Sequence, residues 1–212
     1  MASSDAPDSS MTTASLGIAL PDVNGYTTTD LHALPDDGRR WELIDGSLIV
    51  SPSATFDHTN IARWIAQILE EACPHDDLLV GTDQSTTIDV HNEPRPDIVV
   101  ASAALLRTTP FPLDGALLVA EVVSPTSVLR DTEMKRALYA RAGVPTYWIV
   151  VPEVDKPTIR LAELVLDDGS YRYATHYTSD VFETQRPWPV RIDLPALIAK
   201  RARAMRIEPS PP

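Results

Sequence analysis

The chain has 212 residues, of which 43% are hydrophobic, and its formal net charge at pH 7 is −12. This length is sufficient for one α/β domain with a sizeable core, whereas no apolar run reaches the roughly 20 residues that cross a bilayer. The acidic balance excludes a protein that coats nucleic acid through its overall charge. Because the N-terminal residues carry no secretory signal and Cys73 is the only cysteine, we expect a cytoplasmic protein without internal disulfides or membrane contact.

A local basic face is still compatible with this charge, and two groups of basic residues are candidates for it. Each group could equally be the solvated face of a helix. The first group is Arg39, Arg40, Arg63, Arg130, Lys135 and Arg136, and the second is Lys200, Arg201, Arg203 and Arg206.

The sequence of the first third of the chain indicates a tail, a short helix, a hairpin and a long helix. Residues 1–22 are rich in Ser, Thr, Asp and Pro and predict a flexible tail. A capped short helix follows over 28–34 and stops before a proline. An Asp-Gly turn pair predicts a hairpin over 41–50, and apolar residues at helical spacing predict a helix over 55–73.

Strands dominate the middle of the chain, and one helix interrupts them. The predicted strands span residues 78–81, 86–90, 95–100, 117–123 and 146–151, with a Pro-rich loop at 108–114. A helix over 131–142 ends at Gly143, the position expected of a C-terminal cap. Because a helical crossover joins parallel strands, 117–123 and 146–151 are predicted to be parallel neighbours.

The C-terminal third predicts a second hairpin and a final helix. Residues 159–166 and 171–177 form the hairpin, and the helix spans 194–205, followed by a Pro-rich tail at 206–212. These elements predict one α/β domain over residues 23–205, built on a mixed β-sheet that is flanked by helices and extended by β-hairpins.

Two of the predicted strands are apolar except for one carboxylate each. Asp97 lies in Arg95–Val100, and Glu121 lies in Leu117–Val123. Burying a carboxylate in an apolar strand costs free energy unless a partner compensates its charge. A divalent cation between the two carboxylates would be such a partner, and it could activate water for attack on a phosphate. Without a metal, each residue could be a capping or salt-bridged carboxylate at a strand end.

Four motifs in order resemble one nuclease superfamily. They are Glu42–Gly46, Arg95–Asp97, Glu121–Pro125 and Lys135–Trp148. In this order and spacing they resemble the PD-(D/E)xK nuclease superfamily, and closely its Uma-two branch of restriction-endonuclease-like proteins. The resemblance extends over roughly residues 25–200.

The resemblance implies a restriction-endonuclease-like fold and an endonuclease that hydrolyses DNA with Mg²⁺ or Mn²⁺. Asp97 and Glu121 would bind the metal, and Glu42 would assist as a third carboxylate. The backbone carbonyl of Val122 would complete the coordination. Such nucleases commonly act as dimers, so the resemblance also implies a homodimer in which each site cuts one strand.

The lysine of the superfamily motif is displaced in this chain. The superfamily usually places it two residues after the Glu, where Val123 stands here. In the Uma-two branch the Lys lies in the following helix, and Lys135 fits that position. Lys135 would polarise the attacking water or stabilise the phosphorane, unless it is a helix-surface cation paired with Asp131 at i,i+4.

Three further side chains are candidates for substrate contact. They are Tyr139, one helical turn after Lys135, His58 at a helix start, and Arg130. Tyr139 could equally be a core tyrosine, and His58 could be a polar residue at the helix start. For Glu42 the alternative is a surface charge on an edge strand.

Two other functions are compatible with the same residues. The chain could bind nucleic acid or a protein partner without turnover, or it could hydrolyse a different phosphodiester or a nucleotide. Ser124-Pro125 lacks the Gly-x-Ser-x-Gly context of a serine hydrolase, and the sequence contains no Gly-rich phosphate loop.

Overall fold

The computed structural model describes residues 21–51, 53–125 and 128–205. The predicted tails at 1–22 and 206–212 lie almost entirely outside these residues, and the division into one domain and two tails stays a prediction. The helices of the described residues are α1 (Thr28–His32), α2 (Phe56–Ala72), α3 (Lys135–Arg141) and α4 (Leu194–Met205). The strands are β1 (Arg40–Ile44), β2 (Ser47–Ser51), β3 (Leu78–Thr82), β4 (Thr86–Thr87), β5 (Ile98–Ser102), β6 (Phe111–Pro112), β7 (Ala116–Val122), β8 (Thr146–Pro152), β9 (Ile159–Asp167), β10 (Ser170–Thr178), β11 (Val181–Thr184) and β12 (Val190–Asp193).

The central sheet has six strands in the order β10-β9-β8-β7-β5-β3. β7 and β8 are parallel, with Glu121 opposite Ile149, and the other neighbouring strands are antiparallel. The chain passes from β7 to β8 through α3, as a parallel pair requires. The predicted mixed sheet and its parallel pair are therefore confirmed.

Each face of this sheet has its own hydrophobic core. On one face, α2, α4 and the β11–β12 hairpin pack around Trp148 and Phe182. On the other face, α3 packs against the sheet through Tyr139, which lies in the same core as Tyr147. Because side chains alternate along a strand, Glu121 lies on the α3 face of β7, and this alternation determines where the candidate site lies.

The β1–β2 hairpin turns at Asp45 and Gly46, which have φ angles of 44° and 70°. Both residues adopt the left-handed conformation that a two-residue hairpin turn requires. Backbone hydrogen bonds of 3.2 and 2.8 Å in both directions between Leu43 and Glu93 attach this hairpin to the segment that precedes β5. The hairpin thereby carries Glu42 to the end of the central sheet.

The strand near Asp97 begins later than the sequence predicts. β5 starts at Ile98, so Asp97 precedes the strand instead of lying within it. Pro94 and Pro96 lack the amide hydrogen that a sheet ladder needs, which keeps this segment out of the strand. A hydrogen bond of 3.1 Å from Asp83 N to Asp97 O then closes the end of the β3–β5 pair.

The helix predicted over 131–142 is divided into two parts. Arg130–Met134 form a π-helical turn, and α3 continues from Lys135. A π-helical turn inserts one extra residue into a helix, and hydrophobic periodicity does not signal such a turn. Tyr147 holds this turn on the sheet, since its hydroxyl donates a hydrogen bond of 2.5 Å to the carbonyl of Asp131.

Two other parts of the sequence prediction differ from the structure. The strand predicted over 86–90 is limited to β4, which pairs in parallel with β6 inside the predicted loop at 108–114. The β11–β12 hairpin was not predicted. Among the described residues, no helix combines the length and the apolar character that crossing a bilayer requires.

Candidate active site

Glu121 lies near the C-terminal end of β7 and is only 2% exposed. Its Oε1 accepts hydrogen bonds from the Tyr139 hydroxyl at 2.5 Å and from Lys135 Nζ at 3.0 Å. No residue in the described part of the chain donates a hydrogen bond to Oε2. The carboxylate is therefore held through one oxygen, and the other oxygen is available to a ligand.

Lys135 is the buried cation of the site. Its side chain is 2% exposed, and Nζ lies 2.8 Å from Glu42 Oε2, 3.0 Å from Glu121 Oε1 and 4.0 Å from Asp131 Oδ1. Burial alone would lower the pKa of Lys135, but the negative charges of Glu121, Glu42 and Asp131 outweigh burial and raise this pKa above its ordinary value. Lys135 is consequently an ammonium, and its interpretation as a helix-surface cation is wrong, although its i,i+4 neighbour Asp131 does lie near it.

Carboxylates outnumber cations around Lys135. Burial raises the pKa of Glu121 well above its ordinary value; the Lys135 ammonium opposes this shift, and the charges of Asp97, Asp131 and Glu42 reinforce it. A second cation, Arg130, lies 3.3 Å from Asp131, so Lys135 does not balance these carboxylates alone.

Asp97 is linked directly to the end of β7. Its Oδ2 accepts a hydrogen bond of 2.7 Å from the backbone N–H of Val122, the residue after Glu121. Its Oδ1 lies 3.0 Å from His58 Nε2, and its side chain is 20% exposed. Burial would lower the pKa of His58, but the hydrogen bond and charge of Asp97 raise this pKa overall.

Glu42 reaches the site from β1. It is 3% exposed, so the interpretation as an edge-strand surface charge is wrong. Its Oε2 contacts Lys135 and also accepts a hydrogen bond of 3.2 Å from the backbone N–H of Arg95. Residues from the hairpin, from the segment before β5 and from α3 thus meet at one carboxylate.

The remaining candidates occupy different environments. Tyr139 has no exposed surface, and burial followed by the Glu121 charge raises the pKa of its hydroxyl well above the ordinary value. Tyr139 is thus a core tyrosine that also holds Glu121. Arg130 lies at the opening of the site, with Nε 3.3 Å from Asp131 Oδ1.

A cleft with a volume of about 580 Å³ opens onto these side chains. Every predicted site residue except Tyr139 lines it: Glu42, His58, Asp97, Glu121, Val122, Arg130 and Lys135. This grouping joins residues that are up to 93 positions apart in the sequence, from Glu42 to Lys135.

Sequence reasoning missed an ion pair at the border of this cleft, between a buried arginine and a partly exposed aspartate. Arg201 of α4 is 3% exposed, and its guanidinium donates hydrogen bonds of 2.7, 3.0 and 3.2 Å to the carboxylate of Asp57. The same guanidinium donates to the carbonyls of Glu153, Lys156 and Thr158. Arg201 thereby fixes the first turn of α2, which contains His58.

The two predicted basic faces are not confirmed as continuous surfaces. Lys135 and Arg201 belong to those groups, and both are buried in ion pairs. Their positions among Arg and Lys residues suggested a solvated face, since the sequence alone does not reveal the carboxylates that meet them. Arg206 lies outside the described residues.

The donor set of the cleft suits a hard divalent cation. Mg²⁺ and Mn²⁺ prefer oxygen ligands, and Glu121 offers an oxygen that no described residue occupies. In their present positions, no three His, Cys, Asp or Glu residues of the described chain are arranged to hold a metal. The Lys135 ammonium lies between Glu42 and Glu121, 2.8 and 3.0 Å from their carboxylate oxygens. The residues that would hold a cation here are Asp97 and Glu121, through their carboxylate oxygens.

A mixed sheet with acidic residues and a lysine at the end of its parallel strand pair defines a restriction-endonuclease-like fold. The family model described as "Uma2: Putative restriction endonuclease" matches residues 28–196, and the chain belongs to this family.

A solved structure resembles this chain over nearly the whole length of the solved chain. It is described as a "putative nuclease belonging to DUF820" from Anabaena variabilis ATCC 29413, and it matches this chain with a TM-score of 0.64 and 14% sequence identity. The match covers 82% of this chain and 98% of that chain, and at this identity it shows the fold alone. No curated protein matches the sequence.

Proposed function

We propose that this protein is a metal-dependent endonuclease that hydrolyses DNA phosphodiester bonds. The observation that carries the proposal is the connection of Asp97 to the end of β7, where its carboxylate accepts the N–H of Val122, next to the partly unoccupied carboxylate of Glu121. Family membership supports the same reaction class. Asp97 and Glu121 are the metal ligands, with Glu42 assisting and the Val122 carbonyl as a further ligand.

The chain holds both ligand carboxylates in place before a cation arrives. His58 and the Val122 amide fix Asp97, while Tyr139 and Lys135 fix Glu121. A bound Mg²⁺ or Mn²⁺ would supply Lewis-acid polarisation of the phosphate and a lowered pKa of the attacking water. Such preorganisation limits the reorganisation that the reaction requires.

The cationic side chains have separate roles in this proposal. Lys135 stabilises negative charge on the scissile phosphate from within the cleft. Arg130, which lines the opening of the cleft, contacts a DNA phosphate. His58 can donate a proton or a hydrogen bond to the substrate from beside Asp97. Tyr139 acts by orienting Glu121, since its hydroxyl is buried.

A homodimer belongs to the same proposal. Each cleft contains one candidate set of ligands, so two copies of the chain could bind one duplex and cut one strand each. Size-exclusion chromatography with light scattering, with and without duplex DNA, measures this stoichiometry.

A catalytically inactive binding module is the second candidate function. It is favoured by the contacts of 2.8 and 3.0 Å that place the Lys135 ammonium between Glu42 and Glu121. A cation from the chain itself already compensates these carboxylates, so the fold is electrostatically satisfied there without a metal. In that case the cleft would bind nucleic acid or a protein partner without turnover.

Cleavage of supercoiled plasmid in Mg²⁺, in Mn²⁺ and in a chelator separates the two functions. The native protein should nick the plasmid only with metal, and both Asp97→Asn and Glu121→Gln should lower the rate by at least about a hundredfold. Asn at position 97 retains an oxygen for the Val122 amide, so this variant should fold. Glu183→Gln is the matched control, because Glu183 is 68% exposed in the β11–β12 hairpin.

The outcomes of this assay are distinct. Absence of cleavage of duplex, single-stranded and branched DNA by folded native protein would favour the binding module. Cleavage that survives both ligand substitutions would place the chemistry elsewhere. Hydrolysis of nucleotides but not of DNA, lost in Glu121→Gln, would assign the site to a nucleotide hydrolase. Loss of cleavage in Lys135→Ala, in a variant that still folds, would support the catalytic role of the displaced lysine.

A further inference from the structure

A group of aromatic rings and guanidinium groups covers the outer strand of the sheet. The rings belong to Tyr173, His176 and Tyr177 of β10; Tyr173 and His176 are stacked, with centroids 4.8 Å apart, and Tyr173 and Tyr177 are 6.2 Å apart. The guanidinium carbon of Arg136 lies 5.5 Å from the Tyr173 ring, and that of Arg160 lies 5.8 Å from the Tyr177 ring. We name these five residues the aromatic–arginine platform.

The platform presents its rings to solvent. Tyr173 is 37% exposed and Tyr177 is 36% exposed, and His176 is also exposed. Buried contacts hold the platform from below, because Arg136 Nη2 donates a hydrogen bond of 2.7 Å to the carbonyl of the buried Tyr171. The platform thus combines aromatic rings with guanidinium groups that lie over them, which a scatter of isolated surface residues would not provide.

The platform lies on the same sheet face as Glu121. Arg136 follows Lys135 directly in α3, the helix that covers this face. Arg160 lies two residues before Ala162 in β9, and Ala162 packs in the core beneath α3, so Arg160 is on the same face. β10 is three strands from β7, so the separation across the sheet is roughly 14 Å at the usual strand spacing.

The platform also lies at the end of the sheet where the cleft opens. Arg160 is opposite Val151 of β8, two residues beyond Ile149, the partner of Glu121. Arg160 Nε is 4.0 Å from Glu153 Oε1, and the neighbours of Glu153 on both sides, Pro152 and Val154, line the cleft. The cleft and the platform therefore adjoin through this short segment.

The edge of β10 is poorly suited to pairing with a second copy of the chain. Register shifts interrupt β10 between Tyr173 and Thr175 and between Thr175 and Thr178. Irregularities of this kind disturb the regular ladder that edge-to-edge association needs. The binding capacity of this surface consequently resides in its side chains, not in its backbone.

Rings that alternate with guanidinium groups match the chemistry of an unpaired nucleic-acid strand. Every base has a π-face that stacks on an aromatic side chain, and each phosphate is an anion that arginine binds. The net charge of −12 makes general attraction of nucleic acid unfavourable. A binding surface on this protein must therefore concentrate its cations locally, as the platform does with Arg136 and Arg160.

We propose that the aromatic–arginine platform binds a single-stranded segment of DNA that continues from the strand held in the cleft. This inference rests on the proposed nuclease function, because that function places a DNA strand in the cleft. Its binding chemistry is independent of the metal and of catalysis. The bases stack on Tyr173, His176 and Tyr177, and the intervening phosphates contact Arg136 and Arg160.

Fluorescence anisotropy in a chelator tests this inference with the full-length chain and a labelled oligothymidylate of about 15 nucleotides. Tyr173→Ala and Tyr177→Ala should each raise Kd at least about fivefold, the lower bound for loss of one stacked base. Tyr173→Phe and Tyr177→Phe should leave Kd within about twofold, because they retain the rings. Since both tyrosines are more than one third exposed, all four variants should fold.

Arginine variants test the phosphate contacts with a matched control. Arg160→Ala should weaken binding and reduce the salt dependence of Kd, whereas Arg191→Ala should change neither. Arg191 is a suitable control because it is also an exposed, ion-paired arginine in a strand, with 56% of its side chain exposed. Photo-crosslinking of an iodouracil-substituted strand should label Tyr173 or Tyr177.

The failure of this inference is distinguishable from failure of the nuclease proposal. Unchanged Kd in both alanine variants, no binding of the single strand by native protein, or exclusive binding of duplex would overturn the platform. Glu183→Gln, the exposed control in the β11–β12 hairpin, should bind the oligonucleotide as the native protein does. Metal-dependent cleavage that is lost in Glu121→Gln, together with an unchanged Kd in Tyr173→Ala and Tyr177→Ala, would retain the nuclease and reject the platform.

Discussion

At the scale of single residues, Lys135 determines the charge balance of the cleft. Its ammonium lies within 3.0 Å of both Glu42 and Glu121, and all three side chains are almost completely buried. Removing one partner of a buried ion pair leaves the other charge uncompensated, which costs about 3–5 kcal/mol. We therefore expect Lys135→Met to lower the free energy of unfolding by this amount at neutral pH, measured by urea denaturation.

Lys156→Met is the matched control for this prediction. Lys156 has 72% of its side chain exposed and lies 3.7 Å from Glu153, so its loss should change stability by less than about 0.5 kcal/mol. Addition of Mg²⁺ should restore part of the stability that Lys135→Met loses, because the cation compensates the carboxylates. Equal stabilities of the two variants would show that Lys135 does not balance the buried acidic groups.

The residue types of the site were accessible from sequence, but their environments were not. Motif order and spacing identified Asp97, Glu121, Glu42 and Lys135, which the structure brings into one cleft. The contact between Asp97 and His58 joins residues 39 positions apart, and no local pattern encodes it. Burial of Lys135 likewise depends on a hairpin that lies far away in the sequence.

At the scale of elements, the β1–β2 turn determines how Glu42 approaches Lys135. Gly46 has φ +70°, and a Cβ there would lie 2.8 Å from the backbone oxygen of Asn24. Gly169, in the β9–β10 turn, has nearly the same φ of +74°, but nothing lies within 4 Å of its position for a Cβ. The two glycines therefore share the requirement for left-handed backbone and differ in steric space.

Alanine at these two positions separates backbone strain from steric conflict. Gly169→Ala should cost about 1–2 kcal/mol, the price of left-handed backbone for a residue with a Cβ. Gly46→Ala should cost this amount plus about 1–3 kcal/mol for displacing the Asn24 segment. Urea denaturation measures both losses, and equal losses would show that the Asn24 contact relaxes without cost.

Elements with strong local signals were predicted, and elements defined by tertiary contacts were missed. The Asp-Gly turn and the strand–helix–strand crossover have direct physical signatures, and β1–β2 and β7–α3–β8 follow them. The β11–β12 hairpin has four-residue strands and a connection that contains two prolines. It is stabilised by packing of Phe182 against Trp148, which a local sequence pattern does not reveal.

At the scale of the whole molecule, the two faces of the sheet have cores built around different aromatic residues. The α2–α4 face is built around Trp148 and Phe182, whereas the α3 face buries Tyr139, Tyr147 and Tyr171 beside the charged cluster. Each of the three hydroxyls has an acceptor: Glu121, the Asp131 carbonyl and the Val144 carbonyl, respectively. The stability of this face must therefore depend on the protonation of its phenols.

Alkaline pH should consequently unfold the protein. Burial raises the pKa of Tyr139, Tyr147 and Tyr171 above 10, and nearby acidic charges raise the pKa of Lys135 above 10.5 despite burial. In each case the folded state retains a proton that the unfolded state loses at lower pH. The resulting stability is fully present below pH 10 and decreases as pH rises, by about 1.4 kcal/mol per pH unit for each group.

Urea denaturation between pH 8 and pH 11, together with tyrosinate absorbance, measures this effect. The urea concentration at the unfolding midpoint should decrease as the pH rises above 10. The three buried tyrosines among the six in the chain should ionise only when the protein unfolds. Ionisation of all six near pH 10 in folded protein would contradict the prediction, since it would mean that water reaches the α3 face.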